Sequence, residues 1–554
     1  MKNWNIKYTS GHEIQTVDDV IQILLSNRNL TTKSVREAFL HPKNPLELTA
    51  HDVVIDGTAL KNALKRIKKA IEEKESIVVY ADYDADGITA GSIMWEALHT
   101  LGAQVMPYVP HRMEEGYGLS EKGIDNCITE FNPTLIITVD HGITARAQVE
   151  YAKKLGVEVI VTDHHLPPEE IPNCTIVHTT ELCGAGVSWF IAKILLLENE
   201  NMAEANDLLA LAAIGTIADM VPLIGANRSI AKFGLEEMVK TKRIGIKALI
   251  HEAGLEEKKI MTSDVSHGIA PRLNAMGRLD HAIDALRLLC TKNSERASIL
   301  ATKLGVTNKE RQQLTVDSTL HALTGLSKIE HIQESKILVV SDTSYNPGII
   351  GLVAGKLVEE YYRPSIVIAE GEFVSKASAR SIAGFNIVEF IRSAGNLLVD
   401  VGGHPMAAGF TVETKHIAAL KDFFESHIDG LLHDSLLVRS MAVDMELPFS
   451  LVTKSLVEGL KDFAPYGLAN FEPIFATRGL VVDQIRKIGA KQNHLKLKLR
   501  DQKKRSVDAV AFGLGAMSDG IPVGATVDVA YTIDENIWNG TTSLQLKVKD
   551  MQVQ

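Results

Sequence analysis

The chain is poor in cysteine, in uninterrupted apolar sequence and in net positive charge, and each shortage removes a class of protein. Only four cysteines occur in 554 residues, Cys127, Cys174, Cys183 and Cys290. None stands in a CxxC pair, so neither a disulfide framework nor a structural zinc site is expected. Residues 1–15 contain no apolar core of the kind that defines a secretory leader, and none is expected. The best membrane candidate, residues 208–226, is interrupted by Asp219 and Pro222 before it reaches the roughly 20 residues that a span requires. A cytoplasmic protein without membrane association is the expectation. Lys and Arg number 58 against 69 Asp and Glu, a formal charge of −11. That balance argues against a protein coating nucleic acid over its whole surface, and it leaves room for a local basic groove. A nucleotide-hydrolysing P-loop is also missing, because Gly351–Lys356 has the wrong glycine spacing and no Ser or Thr after the lysine.

What is present reads as a multidomain globular protein. Hydrophobic residues make up 45% and charged residues 23%, and the length suits roughly three or four domains. Residues 59–74 carry Leu60, Leu64, Ile67 and Ile71 on one helical stripe. Apolar runs at 77–81, 135–139 and 157–161 alternate with helix-like stretches such as 145–155, the pattern of a parallel sheet covered on both faces. A long helical tract follows from about 281 to 326. A second α/β pattern begins near 336 and closes near 428. Beyond about 439, short alternating strands separated by Gly, Asn and Asp predict a small β-barrel.

The polar residues at the strand ends are the chemistry-bearing feature. Asp82, Asp84 and Asp86 follow the first apolar run at a spacing of two, which puts them on one face if the chain stays extended. Three such close carboxylates repel one another unless a cation neutralises them. An EF-hand loop is excluded because its twelfth position is Ile93 and a strand precedes it. Asp140 ends the second run, and Asp163-His164-His165 ends the third. Ligands of open α/β sheets bind beyond the carboxyl ends of strands, so these groups should converge in one crevice. Asp219 is the lone acid of an apolar stretch and must be paired, metal-bound, protonated or a helix cap. Asp82, Asp84, Asp86, Asp140, His164 and Asp219 form a carboxylate and imidazole set that suits Mn²⁺, with Mg²⁺ as the harder alternative. Six ligands exceed what one ion needs, and two ions are expected, an arrangement used for phosphoester cleavage.

In order, these motifs resemble the four of the DHH phosphoesterases, and Gly402–Gly409 (GGHPMAAG) resembles the GGHxxAAG signature of the DHHA1 domain. Further similarity lies in residues 110–119 (PHRMEEGYGL), 183–187 (CGAGV), 269–279 (IAPRLNAMGRL) and 465–473 (PYGLANFEP). Within that family the chain is most similar to the bacterial exonucleases specific for single-stranded DNA. The resemblance implies an N-terminal extension (1–50), a DHH catalytic domain (51–280), a connecting helix (281–330), a DHHA1 domain (331–430) and an OB-fold nucleic-acid-binding domain (431–554). It implies 5′→3′ degradation of single-stranded DNA to mononucleotides in repair and recombination. It assigns the metals to Asp82, Asp84, Asp86, Asp140, His164 and Asp219, without choosing which two of the first three bind directly. His165 is assigned to contact the scissile phosphate or tune the site. The alternatives are a phosphodiesterase for short oligoribonucleotides or cyclic dinucleotides, and a non-catalytic replisome scaffold. Two departures stand out: His141 follows Asp140, and Ser344-Tyr345-Asn346-Pro347-Gly348 replaces the family's Trp-His before Pro-Gly.

Substrate-binding candidates also follow from the resemblance. Arg112, Arg278, Ser378 and Arg380 would grip the 5′ end, since an arginine fork matches a phosphate. Arg272 and Asn274 would touch the backbone nearby, while Gly403 and His404 would approach a phosphate or base. Residues 486–505 hold nine Lys or Arg and one acid, Asp501. Lys496, Lys498 and Arg500 alternate there with Leu495, Leu497 and Leu499, so a strand would bury the leucines and present a cationic stripe to a single strand. His494 and Tyr466 could add stacking. Without a motor of its own, such a protein would depend on a helicase, and on a single-strand-binding protein, for its substrate.

Overall fold

The structure is a computed structural model that describes residues 2–9, 14–256, 259–329, 332, 334–538 and 541–554. The expected end of the connecting segment at residue 330 lies outside them. Contacts divide the chain into two units. The first comprises Val17–Asn308 and Ser455–Glu472, the second Met1–Thr16, Lys309–Lys454 and Pro473–Gln554. The segment 455–472, within the stretch assigned above to the OB fold, thus packs with the first unit.

Strand β1 (Asn3–Tyr8) belongs to the second unit. The first unit is built on β2 (Ser76–Ala81), β3 (Gln104–Tyr108), β4 (Leu135–Val139), β5 (Glu158–Asp163) and β6 (Thr175–His178). They form an all-parallel sheet in the order β3-β2-β4-β5-β6. The strands read as continuous apolar runs because both faces are covered. Alternate residues feed two cores. Ile77, Val79 and Ala81 face a core shared with helices Ala85–Thr100, Gly184–Glu198 and Met202–Ala218. Val78 and Tyr80 face the other, with Ile124, Cys127, Val149 and Ala152 of helices Glu121–Phe131 and Arg146–Lys154. The stretch weighed as a membrane span is core helix, buried from Leu208 to Ile217, and no helix among the described residues is long and apolar enough to cross a membrane. Buried Arg243 ties two of these helices together, 2.8 Å from Glu96 and 2.7 Å from Asp207.

The helical tract at 281–326 is two helices, Ile283–Cys290 and Ser294–Leu326. Asn293 explains the break: its side chain accepts from the Arg296 N–H at 2.9 Å, starting a new helix.

In the second unit, β7 (Leu338–Asp342), β8 (Ser365–Ala369), β9 (Val374–Arg380), β10 (Asp400–His404) and β11 (Ala407–Glu413) form a sheet ordered β10-β11-β9-β8-β7. Only β7 and β8 run parallel. Six strands follow: β12 (Ser440–Glu446), β13 (Phe475–Ile488), β14 (His494–Arg500), β15 (Ser506–Ala511), β16 (Thr526–Trp538) and β17 (Thr541–Val553). The last five close into a barrel in the order β13-β14-β15-β17-β16, with β16 pairing back onto β13. The long strands β13 and β16 differ from the short strands expected. Register shifts at 477–480, 482–484 and 530–531 bend them, so that β13 pairs with β16 along one part and β14 along another. β12 adds in parallel to β13, and β1 to β12. The Trp4 indole N–H donates to Asp550 at 2.8 Å.

Candidate metal centre

The first acidic motif does not stay extended. The chain turns at Asp84, which is the N-cap of helix Ala85–Thr100 and accepts from the Asp86 and Gly87 N–H groups at 2.9 and 3.1 Å. The three carboxylates therefore do not share one strand face. Asp82 ends the strand, Asp84 caps the helix and Asp86 lies in its first turn. Both oxygens of Asp86 are used at the start of another helix, where Gly184 N–H and Ala185 N–H donate at 2.7 and 2.9 Å. Such donors at a helix start favour a negative charge.

Asp140 follows β4 with φ of +68°, and Asp163 ends β5. Asp219 caps the C-terminal end of helix Met202–Ala218. His164 joins the sets: its Nε2 lies 3.1 Å from Asp140 Oδ1, 3.7 Å from Asp219 and 3.8 Å from Asp86. Three overlapping groups have ligand atoms mutually within 4.8 Å: Asp140, His164 and His165; Asp86, His164 and Asp219; and Asp82, Asp84 and Asp140. All six metal candidates enter these groups.

The electrostatics ask for a cation. Burial, reinforced by Asp84, pushes the Asp82 carboxyl well above its ordinary range. Burial and Asp86 do the same to Asp140, raise Asp84, and push Asp219 up to about 8. Asp140 Oδ1 is buried with no hydrogen-bond donor. A Cβ on Gly184 would stand 2.4 Å from the Asp140 side chain, and one on Gly215 would stand 2.5 Å from Asp86 Oδ1. Only glycine fits at these points of the cradle. Clustered oxygens with one or two imidazoles, and no sulfur among the grouped atoms, fit Mn²⁺ or Mg²⁺.

Asp163 is of another kind. Its Oδ2 accepts from Ile143 N–H at 2.9 Å, and its Oδ1 from the backbone N–H groups of His164 and His165 and from His165 Nδ1 at 2.7 Å. Burial opposes its charge, but these bonds hold it well below the usual carboxylate range. His165 is pushed the other way: burial works against its charge, yet Asp163 raises it to about 9. Its Nε2 meets the Tyr117 hydroxyl at 3.2 Å. Burial lowers His164, against the pull of Asp86. His141 is buried and pushed down to about 4, and its Nε2–H donates to the Tyr80 carbonyl at 3.0 Å. The strand-end pattern placed Asp163 in the crevice without giving it a role, and it did not single out Tyr117. The first hid as the leading letter of Asp-His-His, the second inside PHRMEEGYGL.

The substrate-binding candidates separate. In the first unit, Arg112 lies 5.2 Å from the Tyr83 ring centre, and Arg278 is half-buried at the end of helix Ala270–Leu279. Asn274 Oδ1 accepts from Ala85 N–H at 2.8 Å and so fixes the acidic turn. Arg272 donates to the Gly268 and Glu252 carbonyls at 2.6 and 3.2 Å. Tyr466 donates its hydroxyl to Leu460.

In the second unit, Arg380 Nη1 donates to Ser378 Oγ at 3.2 Å and to the Ala379 carbonyl at 2.8 Å. A Cβ on Gly351 would come 2.9 Å from Ser378 Oγ and 3.0 Å from Arg380 Nη2, so the first turn of helix Ile350–Tyr361 presses against this pair. Gly403 has φ of +140°, and a Cβ there would stand 2.3 Å from the Ala407 carbonyl. His404 is exposed at the end of β10. Along β14, Leu495, Leu497 and Leu499 are buried, and Lys496, Lys498 and Arg500 face outward. Arg500 is committed to Asp483 at 2.9 Å. Lys496 sits opposite Arg486 in the β13–β14 register, like charges that an anion would relieve. His494 packs edge-on against Phe512, an exposed aromatic that sequence patterning did not single out.

Three domain-family profiles match the chain: the DHH family N-terminal domain at residues 76–216, the DHHA1 domain at 334–430 and the RecJ OB domain at 443–550. The single-stranded-DNA-specific exonuclease RecJ of Bacillus subtilis (strain 168) is 36% identical, over 99% of this chain and 71% of its own length. The crystal structure of RecJ from Thermus thermophilus in complex with Mn²⁺ matches with a TM-score of 0.83 at 29% identity, covering 99% of this chain and 79% of that one. The Mg²⁺ complex of the same protein matches with a TM-score of 0.77 at 28% identity, covering 99% and 78%. With this similarity extending along nearly its whole length, and with all three domain profiles in order, the chain belongs to the RecJ family of DHH–DHHA1 phosphoesterases.

Proposed function

We propose that this chain is a metal-dependent exonuclease that degrades single-stranded DNA from the 5′ end to 5′-mononucleotides, in DNA repair and recombination. The observation that carries this reading is the set of three overlapping ligand groups sharing Asp140 and His164. Shared ligands suit two neighbouring Mn²⁺ or Mg²⁺ ions, which when bound would activate water and offset the charge gathering on the phosphoryl group. The six residues Asp82, Asp84, Asp86, Asp140, His164 and Asp219 would hold them. Asp163 holds the His165 ring at Nδ1, and in this reading the ring would contact a non-bridging oxygen of the scissile phosphate. Arg112 and Arg278 offer guanidinium groups to the DNA backbone. The Ser378–Arg380 pair against the glycine-opened helix start offers donors shaped for a phosphate. Outward-facing Lys496 and Lys498, with Phe512 exposed on the same barrel, suit a sequence-tolerant grip on a single strand. The protein would work in the cytoplasm, behind a helicase and with a single-strand-binding protein.

The test uses full-length protein, Mn²⁺ and long single-stranded DNA labelled at either end, beside short RNA and cyclic dinucleotides. Early release of a 5′-labelled mononucleotide, with the 3′ label persisting on shortening strands, is the expected result. Cleavage confined to dinucleotides sinks the reading in favour of a small-substrate phosphodiesterase, and no cleavage at all favours a scaffold.

The barrel stripe gives a separate prediction. Lys496→Gln with Lys498→Gln is expected to weaken DNA binding about tenfold and to flatten the dependence of log K on log salt by roughly 1.4, about 0.7 for each phosphate that is no longer neutralised. Arg500→Gln should change the slope little, because that side chain is already paired with Asp483. Equal slopes for the double variant and the wild type would remove the stripe from the binding path.

A further inference from the structure

We infer that Tyr117 is a positioning residue of this centre, holding His165 through one hydrogen bond and presenting its ring to the nucleotide being cleaved. The inference rests on the exonuclease reading above and adds a residue that neither the motif acids nor the arginines supply.

Three observations carry it. The first is the hydrogen bond: the Tyr117 hydroxyl and His165 Nε2 are 3.2 Å apart, and His165 Nδ1 is bonded to Asp163 at 2.7 Å. The imidazole is thus held at both nitrogens, and Tyr117 is the partner on the side away from Asp163. The second is exposure. Tyr117 remains 55% exposed despite that bond, whereas a tyrosine serving only to brace His165 could be covered like Tyr80 beneath it. Its ring stands nearly perpendicular to those of Tyr83 and His165, with centres 6.1 and 6.2 Å away. Arg112 lies over Tyr83, so a row of Arg112, Tyr83, Tyr117 and His165 borders the acids. An aromatic face beside a cationic fork suits a base and its phosphate without regard to sequence.

The third is the way the loop is fixed. Tyr117 lies between Gly116 and Gly118, with φ of +85° and +69°, conformations that side chains resist. Such a link could swing freely, but the loop is stapled on both sides of it. The Glu115 carboxylate accepts from the Tyr108 hydroxyl at 2.6 Å and from His111 N–H at 2.9 Å. The Tyr80 hydroxyl reaches the Gly118 carbonyl at 3.4 Å. His141, the residue that departs from the family pattern, packs edge-on to Tyr80 and lies 3.8 Å from where a Gly118 Cβ would stand. A buried tyrosine, a half-buried one and a buried histidine thus hold an exposed tyrosine in place.

The experiment compares Tyr117→Phe and Tyr117→Ala with the wild type. It reads steady-state cleavage of single-stranded DNA in Mn²⁺, and binding of the same DNA by anisotropy without divalent ions. The phenylalanine variant is expected to lose about tenfold in kcat, the scale of one positioned hydrogen bond, with KM and Kd within about twofold. The alanine variant should lose the same in kcat and also raise KM and Kd about fivefold, as a stacking surface disappears. Full kcat in Tyr117→Phe overturns the hydrogen-bond role, and an unchanged Kd in Tyr117→Ala overturns the ring's role in binding. Should the wild type fail to cleave, the exonuclease reading falls separately. The anisotropy comparison still decides the ring's role, and ¹⁵N resonances of His165, assigned with His165→Gln, still decide the hydrogen bond. Identical His165 resonances in Tyr117→Phe and the wild type would overturn it.

Discussion

Asp140→Asn is expected to lower DNA cleavage by at least about 10³-fold, beyond the roughly 10–100-fold that typifies residues supporting a ligand from behind. Asp140 is shared by two of the three ligand groups, so its charge would serve both ion positions. The substitution is gentle in every other respect. The backbone has φ of +68°, a conformation asparagine tolerates as well as aspartate, and the side-chain volume is nearly unchanged. The same variant should be more stable than the wild type without metal, by about 1–2 kcal/mol, because a buried carboxylate among like charges is removed. Its stabilisation by Mn²⁺ should shrink, since that gain scales with the logarithm of ligand concentration over Kd. Thermal melts with and without Mn²⁺, beside the cleavage assay, check all three. Wild-type cleavage, or an undiminished Mn²⁺ shift, would take Asp140 out of the centre.

The opposite signs of these effects express the design of the site. Folding gathers Asp82, Asp84, Asp140 and Asp219 where burial and mutual repulsion disfavour their charges. Asp163 instead receives backbone N–H and imidazole donors that outweigh its burial. The protein thus stabilises part of its acidity by itself and leaves the rest to a divalent ion. The net charge of −11 therefore includes a share that a bound metal would offset.

Much of this was legible in the sequence, for a simple reason. Strand ends are marked by where apolar runs stop, and β4 stops at Val139, just before Asp140. Parallel strands bring their carboxyl ends together, so Asp82, Asp140 and His164 had to converge once the sheet was parallel. The bonds between distant elements were not legible. Nothing in the pattern around Asp86 tells that Gly184 and Ala185, almost a hundred residues on, will donate to it. Nor does the segment 269–279 tell that Asn274 will accept from the Ala85 N–H. Hydrophobic periodicity reports which face of an element is buried, not which backbone group a polar side chain will find. The barrel itself was legible but the lengths of its strands were not, for a related reason: a bulge reverses the alternation of faces, so the pattern of one long strand breaks off early.

Arg228→Ala is expected to destabilise the first unit by about 4 kcal/mol, roughly 10³-fold in its folding equilibrium. The side chain is 1% exposed and its guanidinium lies 4.0 Å from the Phe39 ring centre. No carboxylate pairs with it among the described residues. Its donors go instead to five backbone carbonyls: Phe39 at 2.7 Å, Asp462 at 2.8 Å, Ala464 at 2.9 Å, Phe463 at 3.0 Å and Pro465 at 3.2 Å. Four of these belong to the segment 455–472, which the chain inserts between β12 and β13 yet packs with the first unit. Truncation removes the shared donor and leaves several carbonyls facing an apolar void, a cost larger than that of losing any one bond. Lysine should recover only part of the loss, because a single ammonium cannot span five acceptors fixed around a planar fork. Limited proteolysis should then cut within 455–472 before the core helices, and denaturant midpoints should fall in the order wild type, Arg228→Lys, Arg228→Ala. A lysine variant as stable as the wild type would mean that the charge alone matters, and the fork geometry would lose its role as the anchor of this segment.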